Sequence, residues 1–425
     1  MTTRVWQAVD DRRDAVTELT RALIGYPTIN PPGEAYQACA EHLGDRLRAS
    51  GFDVQYVRGD GQVGDSDRYP RTNVIARIEG KRPGPTVHFN GHTDVVPVGR
   101  GWSYPPFEGV VADGRIYGRG ACDMKGGLAS AVIAVESILA AAPDFAGALE
   151  ISGTVDEESG GYAGVGYLAR QGWFSRPRVD HVIIPEPLNP DRVCLGHRGV
   201  WWGQVETFGR IAHGSMPFLG DSAIRHMTAF LELVERELYP ALEARRTDMP
   251  VVPEGAQSST LNINSIHGGQ GEIEPGGGFP SACVADSCRV ILDRRYLIEE
   301  HEADVKQEIV DLLERLVAER PNFAYELSEL FSVQPTMTDA DAPVVRAVDA
   351  AVERVIGRPP RHVVSPGTYD QKHVYRFGQL EQCIAYGPGI LDLAHQPDEW
   401  VAIDDLVNAA KVMAAAALTL TGSTG

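Results

Sequence analysis

The sequence predicts an α/β protein in which a small β-α-β-β-α-β domain interrupts a larger layered one. Three observations predict it. The chain has 425 residues, too many for one ordinary core. Strand-like and helix-like segments alternate over residues 1–198 and again over 334–425. Between them, residues 199–333 form a self-contained set of strands and helices with a different grammar.

In order, the spacing is helical from Asp14 to about Ser50, and "FDVQYV", "TNVIARI" and "PTVHFNG" then read as strands rich in β-branched residues. "GVVADGRIYGRG", a helix beginning at Leu128, "ALEISGTV", a short helix over 164–170 and "DHVIIPEP" follow. The interrupting domain runs from "VWWGQVETFG" through a helix over 222–246, strands "STLNINSIHGG" and "SCRVILDRRY", and a helix over 299–319 to the strand "NFAYELSELF". "EPGGGFP" reads as a hairpin loop within it. Trp201 and Trp202 are adjacent on a strand, so one faces inward and the other is half-exposed. "APVVRAVDAAVERVIG" and "QCIAYGPG" return to the first style.

Composition narrows the function. Apolar residues make up 43% and charged residues 23%, the balance of a folded globular protein. A net charge of -19 repels nucleic acid and anionic membranes, so neither is an expected partner, whereas a small-molecule substrate is. The amino-terminal segment mixes acids and bases without a continuous apolar core, which favours a cytoplasmic protein. Leu128 to Ala142 is the most apolar helix, but it is short for a membrane span and carries Glu136. Six scattered cysteines form no C-x-x-C pair and read as reduced thiols. No P-loop or dinucleotide fingerprint is present.

Five short stretches at or beside strand ends carry the candidate chemistry. They are "FNGHTDVVP" with His92 and Asp94, "GRGACDMKGG" with Asp123, "TVDEESGG" with Glu157 and Glu158, "IIPEP" with Glu186, and "LDLAHQPDEW" with His395. Taken singly, His92 and Asp94 could be a satisfied pair, Asp123 a helix cap and Glu186 part of a turn. Together, imidazoles mixed with carboxylates suit zinc, cobalt or manganese, and two ions sharing one carboxylate follow naturally.

The order G-H-x-D-V-V-P, G-R-G-x-x-D-M-K-G-G, D-E-E-x-G-G, P-E-P and A-H-x-x-D-E resembles the M20 metallohydrolases over nearly the whole chain. That family includes succinyl-diaminopimelate desuccinylase, acetylornithine deacetylase, aminoacylase and carboxypeptidase G. The resemblance implies a mixed-sheet, zinc-hydrolase-type catalytic domain (1–198 and 334–425) with an inserted lid or dimerisation domain (199–333). It implies that His92 and Glu186 hold one metal, Glu158 and His395 the other, and that Asp123 bridges them. Asp94 would orient the His92 ring. Glu157 would be the general base, consecutive with a ligand because one strand end serves both roles; Gly160 and Gly161 would let the chain leave strand geometry there. His213, in "GRIAHGSMP", would reach a neighbouring subunit's site and stabilise an oxyanion, which makes the active unit a homodimer.

Two departures concern the substrate. In "SPGTYDQKH", Thr368 and Asp370 match the family's G-G-T-x-D-x-R loop, but Pro366 replaces a glycine and Lys372 replaces the carboxylate-clamping arginine. The N-x-I-P that follows the lid's Gly-Gly turn is replaced by "EPGGGFPSAC". Arg198, Arg289 and Arg295 are further cations that could face a substrate, with Arg295 the candidate contact. The leading expectation is an N-acyl amino acid deacylase. An aromatic aminohydrolase is the alternative, because "PGTYDQKHVYRFG" and the Trp pair are similar to the 5-nitroanthranilate aminohydrolase branch. A dipeptidase or carboxypeptidase, and a noncatalytic metal-binding protein, are weaker alternatives.

Overall fold

Strand Ala146–Thr154 is buried at every position, as a strand covered on both faces must be. It pairs in parallel with Arg82–His92 and antiparallel with Thr72–Glu79. In this computed structural model, which describes residues 1–269 and 282–423, the chain divides into two compact units. The first comprises Met1–Gly196, Thr338–Val363 and Tyr369–Gly425; the second comprises His197–Met337 and Val364–Thr368.

In the first unit, the strands run Asp53–Arg58, Thr72–Glu79, Ala146–Thr154, Arg82–His92, His181–Ile184, Cys383–Ala385 and Arg192–His197 across one mixed sheet. Parallel pairing of three central neighbours brings the ends of Arg82–His92, Ala146–Thr154 and His181–Ile184 to one edge. Helix Gly126–Ala141 packs against helix Ile403–Leu420. Residues Ala121–Ala141 are long and apolar enough to cross a membrane, but 78% of that stretch is buried inside the fold, which makes it a core helix. The single helical run expected from Asp14 to Ser50 is two helices, Arg13–Ile24 and Tyr36–Ala49. Pro27, Pro31, Pro32 and Gly33 separate them, since proline denies the helix its N–H donors.

The second unit is a four-stranded antiparallel sheet in the order Thr260–Gly268, Ser287–Tyr296, Gly199–Phe208, Ala324–Val333. Helices Ala223–Leu233 and Glu302–Glu319 supply Met227, Phe230, Ile309 and Leu313 to its core. Burial alternates along Gly199–Phe208, so Trp201 is buried and Trp202 half-buried, as strand geometry requires. Val364–Thr368 belongs to this unit because Val364 and Ser365 exchange backbone hydrogen bonds with Pro250, Val252 and Arg198. Such pairing between distant stretches leaves no mark in local spacing. "EPGGGFP", and the hairpin expected of it, lie outside the described residues.

One charge cluster in this unit carries its own counter-charges. Glu300 accepts from Arg294 at 2.6 Å, Arg245 at 3.0 Å, the Leu297 amide at 2.8 Å and the Ser259 hydroxyl. Burial opposes its charge, but Arg294 and the other donors hold its carboxyl below the usual glutamate value.

Candidate metal centre

His92 ends its strand, Glu158 follows Ala146–Thr154 and Glu186 follows His181–Ile184, so three donors meet at one sheet edge. Asp123 comes from the irregular turn Ala121–Lys125 that leads into helix Gly126–Ala141. It does not cap that helix. Its Oδ1 lies 3.0 Å from His92 Nε2, and its Oδ2 lies 3.4 Å from His395 Nε2. His395 Nε2 also sits 3.1 Å from Glu158 Oε2, and Glu186 Oε1 lies 4.0 Å from His92 Nε2.

These side chains form two triads, His92–Asp123–Glu186 and Asp123–Glu158–His395, with donor atoms within 4.8 Å of one another in each. The mixture fits two divalent cations sharing Asp123, with oxygen and nitrogen donors suited to zinc, cobalt or manganese. The electrostatics agree. Burial and the neighbouring Asp123 push Glu158 up to about 7 and raise Glu186 well above the usual carboxylate range. Hydrogen bonds to Asp123 and Glu158 raise His395 to about 10. Buried carboxylates this crowded require positive charge.

The sequence expectation for Asp94 needs correction. His92 Nδ1 lies 3.0 Å from the Asp94 backbone carbonyl, whereas the nearest Asp94 carboxylate oxygen is 3.6 Å away. A carbonyl only accepts, so Nδ1 carries a proton there, which leaves Nε2 as the nitrogen that would ligate a cation held among the acids. The Asp94 carboxylate instead accepts from the amides of Glu157 at 3.2 Å and Glu158 at 3.1 Å, and from Asn30 at 3.1 Å. It shapes the turn that carries Glu157 and Glu158. That turn does leave strand geometry: φ is 63° at Asp156, 110° at Gly160 and 75° at Gly161.

Glu157 and Glu158 consequently diverge. Glu158 faces His395, while Glu157 Oε1 accepts from Lys372 Nζ at 3.0 Å. Lys372 is buried at 3% exposure. Burial opposes its charge, but Glu157 and Asp370 outweigh it and hold the ammonium above the usual lysine value. Lys372, expected at a substrate carboxylate, here forms an ion pair with Glu157.

His213, Thr368 and Arg295 lie in the second unit. His213 is exposed, and its Nδ1 accepts from the Ser215 amide at 3.1 Å, which leaves Nε2–H as a donor. Thr368 is half-buried. Arg295 does not stand open: it is paired with Asp293 at 2.6 Å. Arg198 donates to the carbonyls of Pro366 and Ser258.

Sequence reasoning assigned no role to several supporting residues. Glu399 receives the amides of Gly120, Cys122 and Asp123 on one oxygen and Arg119 on the other, which fixes the turn bearing Asp123. Its signal was present as the final acid of "AHQPDE". Gly127 matters by its lack of a side chain: a Cβ there would lie 2.0 Å from the Pro185 carbonyl oxygen, next to Glu186.

Residues 88–419 match the Peptidase_M20 family, peptidase family M20/M25/M40. The chain belongs to this family. It is 32% identical over 405 residues to a succinyl-diaminopimelate desuccinylase of Stenotrophomonas maltophilia, covering 92% of this chain and 95% of that protein. A desuccinylase of Marinobacter nauticus is 29% identical over 395 residues, covering 92% and 94%. Human carnosine dipeptidase 1 shares the fold with a TM-score of 0.77 at 19% identity, over 99% of both chains. A dinuclear metal binding M20 peptidase from Bacillus subtilis superposes with a TM-score of 0.69 at 15% identity, over 97% of this chain and 99% of that one. As an M20 protein, this chain is a metal-dependent hydrolase acting on amide bonds.

Proposed function

We propose that this M20 enzyme removes the acyl group from an N-acyl amino acid. The observation that supports this most directly is Glu157, a carboxylate next in sequence to Glu158 that belongs to neither donor triad yet lies near enough for its charge to act on Glu186. Bound divalent ions would activate water and polarise the amide carbonyl. His92, Asp123 and Glu186 would hold one ion, with Asp123, Glu158 and His395 holding the other. Glu157 would accept the proton of the attacking water and pass it to the departing nitrogen. His213 would donate its Nε2–H to the developing oxyanion, from a partner subunit in a homodimer. Free cysteines support a cytoplasmic setting.

One observation favours a second reading, hydrolytic deamination of an aromatic amine. Lys372 is engaged by Glu157, so the position that carries a carboxylate-clamping arginine in the desuccinylase-like pattern is unavailable here. The deciding experiment strips the enzyme and reloads it with zinc, cobalt or manganese. It then measures turnover of N-succinyl and N-acetyl amino acids beside amino-substituted aromatic acids. Acyl release supports the deacylase; ammonia release without acyl release supports the aminohydrolase and rejects the deacylase.

A further inference from the structure

We propose that Lys372 is a positioning residue that holds Glu157 in place, and that the substrate's carboxylate is not bound by it. The inference rests on Glu157 being the base in the reading above.

A lysine built to bind substrate would present its ammonium to open space. Lys372 does the reverse: its side chain is 3% exposed, and among the described residues its hydrogen bond goes to Glu157 Oε1. The helix that carries it, Gln371–Arg376, is pinned at its first residue. Gln371 Nε2 donates to the carbonyls of Leu195 at 3.0 Å and Cys383 at 2.6 Å, and to the Thr338 hydroxyl at 3.1 Å. The ammonium is thus a fixed point rather than a flexible arm.

A buried polar file stands behind it. His88 and Asn90 alternate on one strand opposite Glu150 and Ser152 on the next, which places all four on one sheet face. Arg77 and Arg178 meet Glu150 at 2.7 and 2.9 Å, and Glu150 lies 3.1 Å from His88 Nδ1. His88 Nε2 lies 2.7 Å from the Ser152 hydroxyl, which donates to Asn90 Oδ1 at 2.7 Å. Thr154 donates to the same oxygen at 3.2 Å. Two hydroxyl donors fix which way the Asn90 amide points, so its NH2 faces Asp370 and donates to Oδ2 at 3.1 Å. Asp370 immediately precedes the pinned helix, and its charge acts on Lys372.

A general base must be held within reach of the proton it takes, and small misplacements are costly. The ammonium restrains Oε1 and leaves Oε2 as the oxygen that receives the proton.

The test compares wild type, K372M, K372R and E157Q, each loaded with metal. The chain's lysines are Lys81, Lys125, Lys306, Lys372 and Lys411, few enough to resolve by ammonium 15N NMR. E157Q should shift the Lys372 signal, identified by its loss in K372R. An unmoved signal would overturn the proposal. In kinetics on an N-acetyl amino acid and its neutral carboxamide, K372M should lower kcat by about 10- to 100-fold with KM within about twofold for both, and K372R should recover part of the loss. A rise in KM confined to the carboxylate substrate, with kcat intact, would overturn it in favour of a clamp. If wild type turns over neither compound, the deacylase reading fails, and the NMR shift still decides whether Lys372 holds Glu157.

Discussion

Around Glu300, two arginines, a hydroxyl and an amide converge on one carboxylate. Around Asp123, two further carboxylates and two imidazoles converge, and among the described residues no ammonium or guanidinium pairs with Asp123, Glu158 or Glu186. The first cluster is neutralised from within, and its acid is held below the usual range. In the second, Glu158 is pushed up to about 7. Burial alone does not mark a functional site, because both clusters are largely buried. The mark is three gathered carboxylates met only by imidazoles, with no ammonium or guanidinium among the described residues paired to them.

Several substitutions test this contrast directly. Asp123→Ala removes the shared ligand and should abolish both metal binding and turnover, read by elemental analysis and assay. Glu157→Ala should lower turnover by about 10^2- to 10^4-fold while both metals remain; near-normal activity would reject Glu157 as the base. Glu158→Ala should lower metal occupancy, and an unchanged metal content would remove it from the ligand set. Glu300→Gln should leave metal content unchanged and cost about 1 to 3 kcal/mol of stability in denaturant unfolding, because the buried Arg294 loses its shorter carboxylate contact and keeps only Glu308 at 3.6 Å.

Glu300 also predicts a pH dependence. Its folded value lies below its unfolded one, so in that window the unfolded state binds the extra proton. Its contribution is present above about 4.5 and is lost as pH falls through the lower folded value. The wild-type stability loss between pH 5 and 3 should therefore be smaller in Glu300→Gln. Arg295→Ala should have the smallest effect, below about 1 kcal/mol, since its pair with Asp293 is partly solvated.

That the two donor triads gather was legible because each residue sits in a short motif, three of them beside strand ends that parallel pairing brings to one edge. Strand pairing in the second unit was legible in its alternation, as Trp201 and Trp202 show. The partners of these residues were not legible. Lys372 and Glu157 are 215 positions apart, and Asn90 and Asp370 are 280 apart, so only the folded chain brings them together. Asp94 was placed correctly beside His92, but spacing cannot distinguish a carbonyl from a carboxylate as the ring's partner. Proline in 27–32 was visible, yet helical periodicity on either side masked the break.

Gly127 sets how closely two acid-bearing segments can approach. The helix beginning just after Asp123 and the loop bearing Glu186 approach until a methyl group would stand 2.0 Å from a carbonyl oxygen, about an ångström inside any tolerable contact. An alanine would have to drive helix and loop apart, and with them Asp123 and Glu186. The spacing of the two acids is thus set in part by a residue that carries no donor atom of its own.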